Sequence, residues 1–191
     1  MKSTCAILFF VLCGSLSLYA QTGKPKYRSA TRAVASCDSI FPACFTGNWK
    51  GTLQWMVAGK PEREFNMQLN IQPADSAGQY SWQIIYGDDN KDQRPYLLRP
   101  VDETRGHWVI DEKDGIMLDS YVHGNSIHGA FTVQGNTIVD NYTIIDGRMH
   151  VEFFSIKLDD KKTSGKGTAE TPFVDSYRIS SYQTGILLKV R

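Results

Sequence analysis

From Trp49 onward the chain alternates apolar and polar residues with a period of two. Trp49, Gly51, Leu53, Trp55 and Val57 alternate with Asn48, Lys50, Thr52, Gln54 and Met56. Phe65, Met67, Leu69 and Ile71 do the same against Glu64, Asn66, Gln68 and Asn70, and Tyr80, Trp82, Ile84 and Tyr86 form a third run. Side chains of a strand point alternately to its two faces, so this period predicts antiparallel strands with one face in a core and one in water. No stretch of helical spacing competes with it, and the fold class is all-β.

The clearest internal signal is a repeat of turn residues: Gly124-Asn125, Gly135-Asn136 and Asp146-Gly147 recur at an interval of eleven residues. Each reads as a two-residue hairpin turn, which predicts an uninterrupted meander over residues 115–157. Two-residue turns also fix register. Across the Gly135-Asn136 turn the pairs are Val133 with Ile138, Phe131 with Asp140, Gly129 with Tyr142 and Ile127 with Ile144. Across the next they are Ile144 with Met149, Tyr142 with Val151 and Asp140 with Phe153. One face then carries Leu118, Val122, Ile127, Phe131, Val133, Ile138, Tyr142, Met149, Val151 and Phe153, with Asp140 as its exception. The other carries His128, Thr132, Asn141, Thr143, His150 and Glu152, as a wet surface should. A three-residue loop at Lys113-Asp114-Gly115 brings Trp108 and Ile110 onto the apolar face.

After Ile156, residues 158–172 (LDDKKTSGKGTAETP) read as a polar flexible loop, followed by closing strands at Phe173–Tyr182 and Gly185–Arg191. A sheet of about 8–10 strands with one greasy face and no helix to cover it removes its edges by curling into a closed antiparallel up-and-down barrel. Closure predicts that Gly185–Arg191 returns to pair with Thr46–Val57. Ile186, Leu188 and Val190 would then point inward and Lys189 and Arg191 outward, with Trp49 buried at one end.

The segment before the barrel changes the picture of where the protein acts. Met1-Lys2, the apolar run Ala6–Leu12 and the small-ended Ser17-Leu18-Tyr19-Ala20 have the form of a secretory signal over residues 1–20. The run is too short and too interrupted for a transmembrane anchor, and the large Leu12 before Cys13 does not suit lipoprotein processing. The predicted destination is secreted or periplasmic. Residues 21–36 (QTGKPKYRSATRAVAS) read as a flexible basic lead-in, and Cys37 and Cys44 as a short disulfide loop, since an oxidising compartment favours pairing and no second Cys or His pair lies near enough for a metal. The division is thus signal 1–20, lead-in 21–45 and barrel 46–191. The chain has 21 Lys and Arg against 20 Asp and Glu; losing residues 1–20 removes Lys2 and no acid, so the mature protein is close to neutral. Nucleic acid is therefore not an expected partner, and no later segment is apolar enough to span a membrane.

Phe45-Thr46-Gly47-Asn48-Trp49-Lys50-Gly51 contains the Gly-x-Trp that opens the first strand of the calycin superfamily, the lipocalins and fatty-acid-binding proteins, and with the meander over residues 46–191 the chain resembles that superfamily. The resemblance implies a lipocalin-like barrel in which Gly47 and Trp49 close one end, the Trp lying under an Arg from the last strand, with Arg178 or Arg191 in that role. It also implies a small, largely apolar ligand inside. A haem-binding branch uses a His near the C-terminal strands; no His follows His150, which the register places outside, so that branch does not fit.

The residues expected to contact a ligand are Trp55, Met67, Trp82, Tyr86, Phe131, Asp140, Tyr142 and Phe153. Asp140 stands out, because a carboxylate between Phe131 and Phe153 on an inward face is costly unless paired. The rest of the chemistry is sparse. His128 and His150 flank Thr143 from either side at about 9.6 Å, too far apart for one ion. Asp111, Glu112 and Asp114 sit at a hairpin tip without calcium-loop spacing and read as a solvated turn. There is no nucleophile elbow and no phosphate loop, so no catalytic residue, cofactor or metal is expected. The competing role is an extracellular or envelope interaction or inhibitor protein that uses the barrel as a rigid scaffold, with a protein partner held by the lead-in and the loop 158–172.

Overall fold

The computed structural model describes residues 41–190, all within one compact unit. The signal sequence and most of the basic lead-in lie outside this range, as do Cys37 and Arg191. Ten strands form a closed antiparallel barrel: β1 Gly47–Met56, β2 Arg63–Ile71, β3 Tyr80–Tyr86, β4 Asp92–Asp102, β5 His107–Asp111, β6 Met117–His123, β7 Ser126–Val133, β8 Asn136–Ile145, β9 Arg148–Ser164 and β10 Val174–Val190. Each strand pairs with its neighbours in sequence, and β10 returns to β1 from Met56↔Tyr182 to Asn48↔Val190. A single 3-10 turn, Glu103–Arg105, joins β4 to β5. No described helix is long and apolar enough to cross a membrane.

The period-two segments become strands whose odd or even positions alternate in burial. Trp49 and Leu53 are buried on β1, Met67, Leu69 and Ile71 on β2, and Trp82 and Ile84 on β3. Strand β4 goes beyond the sequence pattern. It carries Pro95 and Pro100, residues that cannot donate to a ladder and so mask a strand in sequence, yet Asp92–Leu98 pair with β3 and Leu97–Asp102 with β5.

Two hairpin registers follow the sequence. Val122 faces Ile127 across Gly124-Asn125, and Ile144 faces Met149 across Asp146-Gly147. The middle one is shifted by two residues: Phe131 faces Ile138, Gly129 faces Asp140 and Ile127 faces Tyr142. The turn there is Gln134-Gly135, both in the left-handed region (φ 49 and 74), while Asn136 already belongs to β8. A type I′ turn needs positive φ at both central residues and takes its Gly second, as Asp146-Gly147 also does. A shift of two keeps every side chain on its face, although Val133 ends exposed near the turn. His128 accordingly faces Asn141, and Thr143 lies between Ser126 and His150. The Lys113-Asp114-Gly115 loop forms with Trp108 and Ile110 buried.

Two expectations for the C-terminal part are overturned. Residues 158–172 are not one flexible loop: β9 runs on to Ser164 and β10 starts at Val174, so the two continue as a ribbon past the barrel. β8 stops pairing with β9 at Lys157 and β1 stops pairing with β10 at Tyr182, so beyond these points the ribbon strands pair only with each other. Thr163 and Lys161 both bind Asp175, and Asp160 pairs with Arg178, polar cross-strand contacts that hold a charged segment as strand rather than loop. The inward parity of the last strand is also reversed. Leu187 is fully buried, whereas Ile186, Leu188 and Val190 are exposed on the outer face. Leu187 lies opposite Gly51, the residue without a side chain, and fills the space left there.

The closed end of the barrel is an apolar plug. Phe41 and Phe45, from the turn before β1, stack edge to face at 5.0 Å, and Phe41 meets Trp108 at 5.1 Å. Trp49 is 2% exposed, and its indole N–H donates to the Phe45 carbonyl at 2.8 Å. Lys189 supplies the cation over Trp49, with Nζ 5.4 Å from the ring. Arg178 is bound to Asp160 on the ribbon instead. Gly47 stands at φ 139 with the Lys189 stem against it, which a Cβ would overlap. Residues 41–45, grouped by sequence with the lead-in, are thus part of this plug. Cys44 packs beside it and is bonded to no cysteine among the described residues.

Candidate functional site

The opposite end of the barrel holds a cavity of about 460 Å³. Its position follows from strand direction: the ends of β1, β3, β5 and β7 and the starts of β2, β4, β6 and β8 meet there, away from the Phe41–Phe45 plug. Trp55, Trp82, Tyr86, Phe131, Asp140, Tyr142 and Phe153, all singled out from the sequence, line it together. Met67 does not; it is fully buried in the core below, across from Gly51 and Tyr86.

The walls are aromatic and interlocked. Trp82 meets Tyr142 edge to face at 5.0 Å, Tyr142 meets Phe153 at 5.6 Å, and Phe65 meets Tyr86 at 5.8 Å. Such pairs fix ring orientation as well as burying area. The Arg94 guanidinium lies 4.9 Å over Tyr86, and Arg63 lies 5.6 Å over Trp55.

Asp140 is 8% exposed on β8, opposite Gly129 on one side and Phe153 on the other. Its carboxylate lies against Gly129, where an added Cβ would come within 2.7 Å of Oδ2. Glycine there makes room for the acid. No cationic side chain binds Asp140 among the described residues. Burial pushes its carboxyl up from 3.8 to about 6, and the Gly129 backbone N–H offsets only part of this. Burial likewise pushes the Tyr86 phenol up to about 12 and raises that of Tyr142, with the Asp140 charge adding to both.

Two further donors stand out. The indole N–H groups of Trp55 and Trp82 are buried with no partner at good hydrogen-bond geometry among the described residues, although that of Trp82 lies near enough to the Tyr142 hydroxyl to lower its phenol slightly against the effect of burial. A buried N–H left unsatisfied costs about 1–3 kcal/mol, so an acceptor on a bound molecule would recover free energy there.

Several lining residues were not picked out from the sequence. Asp92, Arg94 and Tyr96 come from β4, hidden by its prolines. Glu112, read as part of a solvated turn, lines the mouth and, after burial, is the main influence raising the Tyr96 phenol. Gln183 and Ser155 face inward because β9 and β10 are continuous strands there. For Glu112 a signal existed: Trp108 and Ile110 point inward, and the same parity extended by two reaches Glu112. No group of three or more His, Cys, Asp or Glu side chains arranged to hold a metal ion occurs among the described residues.

No protein-family profile matches this sequence, and no curated protein does. Solved structures match the fold. One is a protein of unknown function from the DUF3598 family of Nostoc punctiforme, with a TM-score of 0.55 at 11% identity over 78% of this chain. The match spans about half of that protein, 48% of its length. Another is an S-type phycobiliprotein lyase from Guillardia theta, with a TM-score of 0.47 at 9% identity over 78% of this chain and 90% of that one. At such identities the likeness to the first shows a shared barrel fold and nothing finer.

Proposed function

We propose that this barrel is an exported binding protein that takes a small, largely apolar molecule into the cavity at its open end. The observation that carries this reading is the cavity itself: about 460 Å³, walled by interlocked aromatic rings and separated from the plug at the other end. That volume falls in the ~300–1,000 Å³ range of small-molecule sites, which are mostly apolar with a few placed polar groups. Asp140 and the indole N–H groups of Trp55 and Trp82 are such groups. Export rests on the pattern of residues 1–20, and fractionation of the source cells with an antibody to the barrel tests it.

The binding reading is tested by titration with N-phenyl-1-naphthylamine, an uncharged apolar probe. Tryptophan emission should fall as the probe's rises by energy transfer, saturating at one probe per chain, because Trp55 and Trp82 form the wall. Replacing Ser155 on the lining by Trp fills the cavity and should abolish the response; saturable uptake that persists unchanged in that variant would place the probe elsewhere and contradict the reading.

The role as an interaction scaffold has one specific observation in its favour. The ribbon formed by β9 and β10 carries exposed Val174, Tyr177 and Ile179, apolar groups that a freely solvated hairpin does not need. Excising the ribbon distinguishes the two roles, since cavity binding should survive it and partner binding should not.

A further inference from the structure

We propose that the cavity selects an organic cation, an apolar ring system bearing a protonated amine, with Asp140 as the counter-ion at its base. This rests on the cavity being a ligand site and adds the charge class of the ligand.

The charges on the lining decide between classes. Three carboxylates, Asp92, Glu112 and Asp140, face one guanidinium, Arg94. Arg94 is held by Asp92 through two contacts, Nε to Oδ1 at 3.1 Å and Nη2 to Oδ2 at 3.2 Å, and both side chains are about half exposed. An anionic ligand such as a fatty acid would need a free cation at depth, and the lining has none. Asp140 is the reverse case: a deeply placed carboxylate with no cation of its own, reached only through the cavity. The titratable groups coupled to it are Tyr142 on its own strand and Tyr86 on β3; Arg94 on β4 acts on those two phenols, and the partners of Asp140 across β7 and β9, Gly129 and Phe153, carry no charge.

The walls suit a cation as well. Trp82, Tyr86, Tyr142 and Phe153 line the cavity with aromatic surface, and a ring face turned to an ammonium group attracts it through its quadrupole. The Arg94 guanidinium over Tyr86 already uses one such face at the mouth. Because a bound ammonium would favour the ionised carboxylate, binding should take place with Asp140 deprotonated and weaken as the pH falls through about 6.

The test uses three probes of one shape: 1-naphthylmethylamine, 1-naphthalenemethanol and 1-naphthoate, each titrated against the full mature protein by quenching of tryptophan emission. The amine should bind at least about tenfold more tightly than the alcohol at neutral pH, the margin expected for a charge-assisted contact, and the carboxylate most weakly. Asp140→Asn should remove the margin, so that within that variant the amine binds no more tightly than the alcohol. A second readout needs no variant: between about pH 7.5 and pH 5 the amine's affinity should fall roughly tenfold and the alcohol's stay level. If the alcohol or the carboxylate binds as well as the amine, the cation assignment is wrong and the ligand site stands. If none of the three binds, both are wrong.

Discussion

At the scale of single residues, Asp140 is where this protein trades stability for an ionisable group in an apolar place. Its carboxyl is raised from 3.8 to about 6, so between these values the folded chain keeps a proton that the unfolded chain has released. Stability contributed by the protonated form is therefore full below about pH 4 and is lost as the pH rises through about 6. The cost at neutral pH is at most about 3 kcal/mol for a shift of this size. Asp140→Asn should raise the unfolding free energy by roughly 2 kcal/mol at pH 7.5 and by much less near pH 4. Urea denaturation of both proteins across that range checks this; a difference independent of pH would mean that the carboxyl is not perturbed. The oddity of Asp140 was legible in sequence because strand parity alone puts it on the apolar face. The room made by Gly129 was not, because the middle turn slips by two residues and changes which residue stands opposite.

At the scale of elements, hairpins were legible and continuity was not. Turn residues name themselves through positive φ, and the parity of β6, β7, β8 and β9 follows from them. Strand β4 was concealed by Pro95 and Pro100, and with it Asp92, Arg94 and Tyr96 of the site. The charged ribbon read as loop because its stability comes from cross-strand ion pairs and backbone pairing, which leave no hydrophobic period. Since residues 158–177 pair only within the ribbon, joining Lys157 to its cross-strand partner Arg178 through an Asn-Gly turn should leave the barrel folded, with a melting midpoint within about 3 °C of the parent. Loss of cooperative unfolding in this variant would show that the ribbon supports the barrel.

At the scale of the whole molecule, what makes the sheet a barrel is the seam between β1 and β10. Closure was legible from the greasy face beginning at Trp49, which leaves an open edge unless the chain returns. The orientation of the returning strand was not, because Ile186, Leu188 and Val190 form the more apolar alternation and yet face outward. Packing decided it: Leu187 fits over Gly51, and Lys189 reaches Trp49. A Cβ at Gly51 would overlap the Ile186 backbone carbonyl, an atom that cannot swing aside. Gly51→Ala should thus destabilise the protein by about 2 kcal/mol or more, read from its denaturation midpoint, and an unperturbed variant would mean that the seam is looser than described.

Plug and seam together leave one end of the barrel for a ligand, and stoichiometry tests that account most directly. Native mass spectrometry of the gently purified mature protein, mixed with N-phenyl-1-naphthylamine, should show one probe bound per chain and none on Ser155→Trp. Equal loading of the two proteins, or no probe on either, would contradict a binding cavity at the open end.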